Sequence, residues 1–258
     1  MADANEAPKL EWRGVAKRFG ATRVLDGLEL AVTRGRSLVL IGGSGQGKSV
    51  TLKIALGLMN ADAGKVLLDG ADVTALSGGE RQPLFRSIGM LFQGAALFDS
   101  LTVWENVAFR LINADGVKRR AARERAIEAL RLVRLGPEVA ERFPSEMSGG
   151  MQKRVGLARA IVGAPDILFF DEPTTGLDPI TASAIDELIV DRVRSMGCTA
   201  VSITHDLPSA RRIADEVAML HQGRIVWRGP VAELDTTDNP YVRQFVSGSS
   251  QGPIAPNV

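Results

Sequence analysis

Gly42-Gly43-Ser44-Gly45-Gln46-Gly47-Lys48-Ser49 decides the reading of this chain. Gly42, Gly47, Lys48 and Ser49 stand at the fixed positions of a phosphate-binding loop. The apolar run Leu38-Val39-Leu40-Ile41 precedes the loop and a helix-forming stretch, Lys48 to Leu58, follows it. Strand, glycine loop and helix are the context such a loop requires. Glycines let successive backbone N–H groups turn toward phosphate oxygens without side-chain clash. The helix N-terminus adds partial positive charge. In this pattern Lys48 reaches the β- and γ-phosphates and the Ser49 hydroxyl ligates Mg²⁺, with Val50 following in the first helical turn. A glycine-rich turn that binds nothing is the bland alternative, and the flanking strand and helix argue against it.

Two further apolar runs lie downstream. Ile167-Leu168-Phe169-Phe170 ends in the carboxylates Asp171 and Glu172, and Ala200-Val201-Ser202-Ile203-Thr204 ends at His205. Short apolar runs without alternation suit strands buried on both faces. Helical stretches at Gly149–Val162 and Thr181–Ser195 flank the second run. Strands alternating with helices predict an α/β fold with a parallel core sheet. Lys118–Arg134, rich in Arg, Ala and Glu, reads as a helix inside a long insertion, so residues from about 96 to 146 are expected to form a helical lobe. Residues 9 to 36 carry strand-like alternation, as in Leu28-Glu29-Leu30-Ala31-Val32, and are expected to form an antiparallel edge sheet. From Asp238 onward Gly, Ser and Pro predict loose order, although Tyr241, Val242 and Phe245 at i, i+1 and i+4 suit one face of a short helical turn.

The bulk numbers are those of an ordinary globular chain. The chain has 258 residues, 45% hydrophobic and 24% charged, enough for one large domain with an inserted lobe. A formal net charge of +1 gives no basic surplus pointing to nucleic acid. The single cysteine, Cys198, allows no internal disulfide. Met1 to Pro8 lacks the basic start and apolar stretch of a secretory signal. No apolar run approaches the roughly 18 residues of a membrane helix, so any membrane partner is expected to be another chain.

Adjacent carboxylates at the tip of a buried strand are costly unless they serve a cation or a water. Below a phosphate loop, Asp171 reads as the Mg²⁺-side carboxylate and Glu172 as the group that polarises the attacking water. Of the two histidines, His221 sits in a Gln-Gly turn and reads as structural.

With these residues in hand, the chain resembles the ATP-binding subunits of ABC transporters over nearly its whole length. The phosphate loop, Gln93 after Met90-Leu91-Phe92, a signature segment, Asp171-Glu172, Asp178 in Thr175-Gly176-Leu177-Asp178-Pro179, and His205 occur in the family's order. The resemblance implies a P-loop NTPase fold over residues 9–246, with 247–258 as a flexible tail, and ATP with Mg²⁺ as the bound species. It implies that Gln93 is catalytic and joins Ser49 and Asp171 as an Mg²⁺ ligand. It implies that His205 contacts the γ-phosphate and that Phe19, in Lys17-Arg18-Phe19-Gly20, stacks on adenine. An edge-strand core position is the alternative for Phe19. Two segments compete for the signature. Leu76-Ser77-Gly78-Gly79-Glu80 is the closer text match, but it precedes Gln93, and Pro83 is expected to disturb a helix beginning at its glycines. Met147-Ser148-Gly149-Gly150-Met151 precedes a good helix and is preferred, although Met151 stands where the family has Gln. In the family this segment, Ser148 to Met151, caps ATP held by the other subunit, and the Asp178 loop crosses the interface; a homodimer is implied.

The resemblance narrows to the Mce-associated lipid-transport ATPases. Gly94-Ala95-Ala96-Leu97-Phe98, Leu101 to Phe109, Ser148-Gly149-Gly150-Met151, Asp178-Pro179-Ile180-Thr181 and Asn239 to Phe245 carry it. It implies an integral-membrane permease, an Mce-type lipid-binding protein, phospholipid movement between bacterial inner and outer membranes, and a place on the cytoplasmic face of the inner membrane. An importer ATPase for a polar solute shares every catalytic residue. A soluble ABC ATPase acting on ribosomes or DNA usually carries two cassettes, coiled coils or basic inserts, and none stands in this sequence.

Overall fold

Alternating apolar residues from Pro8 to Thr33 fold as two long strands, β1 (Pro8–Phe19) and β2 (Thr22–Thr33), paired antiparallel with Trp12 opposite Leu30 and Val15 opposite Leu28. In this computed structural model residues 8–76 and 78–255 are described, with the backbone alone at 81–83. The inward set Leu10, Trp12, Val15, Leu25, Leu28 and Val32 is buried. β3 (Ser37–Ile41), buried throughout, leads into α1 (Lys48–Ala55). Helix α1 stops short of Leu58 because Gly57 takes a left-handed φ of 64°. β4 (Ala63–Leu68) and β5 (Ala71–Asp72), which the sequence pattern did not reveal, extend the antiparallel sheet to the order β2-β1-β4-β5. The chain divides into two units, Met1–Arg81 with Val201–Val258, and Gln82–Ala200.

The second unit opens on α2 (Gln82–Arg86) and β6 (Ile88–Leu91), continues through α3 (Val103–Asn113), α4 (Arg119–Leu132), α5 (Gly149–Ile161), β7 (Ile167–Asp171) and α6 (Pro179–Met196), and closes with the start of β8 (Thr199–Ile203). β6 lies parallel to β7, Ile88 opposite Ile167, in the order β8-β7-β6. Helices α3, α4 and α5 pack on one another. Val107, Leu111, Ala122, Ala126, Leu130, Val155 and Leu157 of these helices are buried. A Cβ at Gly89 would strike the Ala160 carbonyl, so glycine there lets α5 lie close on β6.

Pro83 does not exclude a helix, contrary to the sequence reading. Gly78–Arg81 form a 3₁₀ turn and α2 follows, with Pro83 as its second residue, where a missing N–H costs nothing. Ser77 lies outside the described residues. The helices that follow the two candidate segments differ in length: α2 has 5 residues and α5 has 13.

The return of the first unit supplies α7 (Leu207–Ile213), β9 (Glu216–His221), β10 (Arg224–Pro230) and α8 (Pro240–Ser247). β9 runs parallel to β3 and antiparallel to β10, in the order β10-β9-β3-β8. In the stretch after Asp238 the short helical turn expected at Tyr241, Val242 and Phe245 is present as α8. Asn239 caps α8 by accepting from the N–H groups of Tyr241 (3.0 Å) and Val242 (3.2 Å), and Val242 is fully buried. The Gln244 amide then binds the following chain, donating to the carbonyls of Ser249 (3.2 Å) and Ile254 (2.9 Å) and accepting from Ile254 N–H (2.7 Å). Pro256 to Val258, the end of the 247–258 tail, lie outside the described residues. Cys198 is buried, which pushes its thiol up to about 11. Among the described residues no helix is long and apolar enough to cross a membrane.

Candidate functional site

The loop Gly42–Ser49 bridges the end of β3 and the start of α1. Gly42 adopts φ 146°, and a Cβ there would strike the Leu220 carbonyl. Gly47 adopts φ 101°, and a Cβ would lie 2.9 Å from both Leu25 Cδ2 and the Val24 carbonyl. Gly47 is also the N-cap of α1, and no side chain caps that end. Lys48 is buried, with Nζ donating to the carbonyls of Gly42 (2.7 Å) and Gly43 (2.9 Å). Ser44, Gly45 and Ser49 are exposed, and Val50 is half-buried. Gln46 Oε1 accepts from Gln222 N–H at 2.6 Å, which fixes the flank of the loop. Backbone amides, an uncapped helix start and an ammonium drawn across the loop fit a polyphosphate.

Phe19 is 47% exposed at the end of β1, with the Lys17 ammonium 5.7 Å from its ring centroid. It is therefore not a core residue. His205 is exposed where β8 meets α7. His221 is buried, its ring 5.0 Å from that of Tyr241, as a structural histidine should be.

In the second unit Asp171 closes β7 and Glu172 follows with a left-handed φ of 49°. Glu172 Oε2 accepts from the Thr175 hydroxyl at 3.0 Å. Gln93 is exposed beyond β6. Its carbonyl accepts from Lys153 Nζ, which also donates to the Glu172 carbonyl at 3.2 Å. Burial pushes the Lys153 ammonium down, and the Glu172 and Asp171 carboxylates act against that shift. Ser148 is the exposed N-cap of α5, accepting from Met151 N–H at 3.4 Å. Gly149 and Gly150 open that helix. A Cβ at Gly150 would lie 2.6 Å from Thr181 Cγ2. The Thr181 hydroxyl donates to Asp178 at 2.5 Å, so Thr181 brings the signature candidate and the Asp178 loop together. Asp178 caps α6, and the Thr181 hydroxyl, then the Thr181 and Ile180 N–H groups, hold its carboxyl below the usual range. Thr175 and Lys153 escaped the sequence reading, because neither carries a spacing signal of its own. The Ser49 hydroxyl, the Asp171 carboxylate and the Gln93 amide are hard oxygen donors of the kind Mg²⁺ takes beside phosphate oxygens.

The family model described as "ABC transporter" matches residues 25–175, from Leu25 within β2 to Thr175. The chain belongs to the ABC transporter ATP-binding family. It is thus an ATP-hydrolysing subunit of a transporter. The "probable ribonucleotide transport ATP-binding protein mkl" of Mycobacterium leprae is 40% identical over 245 residues, 95% of this chain and 70% of that one. "Protein TRIGALACTOSYLDIACYLGLYCEROL 3, chloroplastic" of Arabidopsis thaliana is 40% identical over 261 residues, 95% of this chain and 75% of that one. Among solved structures, a dimeric ATP-binding cassette, MJ0796, in a post-hydrolysis state with ADP and Pi superposes with a TM-score of 0.79 at 30% identity, covering 86% of this chain and 98% of that one.

Proposed function

We propose that two copies of this ABC ATPase power a permease that, with an Mce-type lipid-binding protein, moves phospholipids between bacterial inner and outer membranes. The ATPase works from the cytoplasmic face of the inner membrane. The Lys48 ammonium lying over the Gly42 and Gly43 carbonyls at an uncapped helix start carries the nucleotide half of this reading. On ATP binding Lys48 exchanges those carbonyls for the β- and γ-phosphates. Phe19 takes the adenine face and His205 the γ-phosphate. Ser49, Gln93 and Asp171 would hold Mg²⁺, which neutralises phosphate charge when bound. Glu172, aimed by the Thr175 hydroxyl, orients the attacking water. Ser148 to Met151 and Asp178 of one copy close over the nucleotide of the other. The MJ0796 cassette was solved as a dimer, which supports pairing.

The lipid half is supported by an Arabidopsis relative that carries a galactolipid's name, and permease docking by an exposed aromatic pair. Phe98 and Phe109, 45% and 38% exposed, stack at 4.6 Å, whereas Val103 and Trp104 of the same apolar stretch are buried lobe core. The Asn106 side chain pins the loop under Phe98, accepting from Phe98 N–H and donating to the carbonyls of Phe98, Leu101 and Thr102. This rigid apolar edge, with Leu97, suits a short cytoplasmic helix of the permease. Phe98→Glu is expected to lower recovery of the permease about tenfold or more, the equivalent of losing one large side chain's burial at about 1.5–3 kcal/mol. ATP binding by the isolated subunit should survive; unchanged permease recovery would place the groove elsewhere.

The ribonucleotide in the mkl name favours a polar solute as cargo, and with it a second reading in which the permease is an importer. Purification with attached partners separates the readings. A permease with an Mce protein supports lipid transport, a permease with a solute-binding protein supports import, and ribosomes or DNA would point to a soluble ABC ATPase. Removing residues 247–258 tests the tail, which we take to dock across the pair. Burial there is largely offset by ordering about 1–2 kcal/mol per residue, so pairing should weaken roughly threefold with ATP affinity intact. Unchanged assembly and turnover would leave the tail no role beyond its own α8.

A further inference from the structure

One face of α5 grips the loop that carries Gln93. Lys153, Gly156 and Arg159 are spaced by three residues and so share that face. Lys153 Nζ donates to the Gln93 carbonyl and, at 3.2 Å, to the Glu172 carbonyl. Gly156 allows the close approach, since a Cβ there would lie 2.6 Å from Leu91 Cδ1 and 3.3 Å from Ala95 Cβ. Arg159 donates to the carbonyls of Ala96 (2.7 Å) and Ala95 (2.5 Å). Ala95 and Ala96 adopt φ 58° and 48°, a conformation unfavourable for residues with a Cβ. Glu172 stands at φ 49°, so three left-handed residues are held by two cations of one helix. Lys153 and Arg159 point their charges at backbone carbonyls, and among the hydrogen bonds described neither donates to a carboxylate.

We infer that Lys153 is a positioning residue for ATP hydrolysis, tying the backbone of Gln93 to that of Glu172 and both to the helix that begins at Ser148. This inference rests on the proposed roles of Gln93 and Glu172. A shift of α5 when Ser148 meets the partner's nucleotide is carried through Lys153 to both groups at once. Signature contact and water alignment then occur as one event.

The test compares Lys153→Met and Lys153→Arg in the full chain, purified with its permease. Lys153→Met keeps the stem and loses the donor. Its kcat should fall about tenfold or more, the usual scale when a group that orients a reactive residue is removed. The Mg²⁺ concentration for half-maximal turnover should rise. Fluorescent-nucleotide affinity and melting temperature should stay near those of the unsubstituted chain. Lys153→Arg, which retains a donor, should recover most of the rate. Turnover of Lys153→Met within twofold of normal overturns the inference. So does a parallel loss of nucleotide affinity and folding, the mark of a merely structural lysine, or a Lys153→Arg chain no faster than Lys153→Met. Glu172→Gln run alongside separates the two failures. Normal turnover there removes the reading of Glu172 itself, whereas an inactive Glu172→Gln beside an active Lys153→Met overturns only the role of Lys153.

Discussion

Glu172→Gln will bind ATP, hold two subunits together and hydrolyse at a rate lower by on the order of 10² or more. The substitution keeps side-chain shape and the hydrogen bond from the Thr175 hydroxyl, which at 3.0 Å fixes one end of the group. What it removes is the negative charge that polarises the attacking water. Binding depends instead on the Gly42–Ser49 loop, whose residues the substitution does not change, so nucleotide affinity survives while turnover stops. The paired state should accumulate because it is emptied only by hydrolysis. Size-exclusion chromatography with ATP, read beside phosphate release, measures both properties. Near-normal phosphate release would show that another group orients the water.

Ser148→Arg is expected to stop ATPase activity in the assembled complex, by on the order of 10². Ser148 is the exposed N-cap of α5, with Gly149 and Gly150 just behind it. An arginine there loses the cap and fills the space in which the partner's γ-phosphate would sit. Ser77→Arg should retain most activity, because the Gly78–Arg81 turn leads only into the 5-residue α2, too short to aim a lasting helix N-terminus. The reverse pattern would move the signature to Leu76–Glu80. Steady-state phosphate release by the two variants, each purified with the permease, decides it.

The core strands and the loop context were legible because buried parallel strands read as unbroken apolar runs. Leu38–Ile41 and Ile167–Phe170 both fall within one residue of the strands β3 and β7. The opening sheet was legible from alternation, yet its partners β4 and β5 were not, since Ala63–Leu68 exposes its first three residues and shows no period. Pro83 was read as a helix breaker, but at the second helical position proline is compatible with the geometry. The asparagine that anchors the aromatic edge, Asn106, and the lysine that bridges Gln93 and Glu172 gave no pattern. Their partners are main-chain carbonyls, which every residue possesses, so only the folded chain shows which ones they meet. In the tail after Asp238 the turn at Tyr241–Phe245 was legible from its spacing, but the Asn239 cap and the Gln244 bonds to the chain that follows were not, since their partners are main-chain groups.

The lone thiol has a practical corollary for watching this motor move. With Cys198 buried and its ionisation raised to about 11, about one molecule in 10⁴ carries a thiolate at neutral pH. Maleimide dyes and spin labels should therefore pass the natural protein by. A cysteine placed at Ile180, 83% exposed beside the Asp178 loop, would be the sole reporter, and two such labels would read the distance between subunits through each cycle.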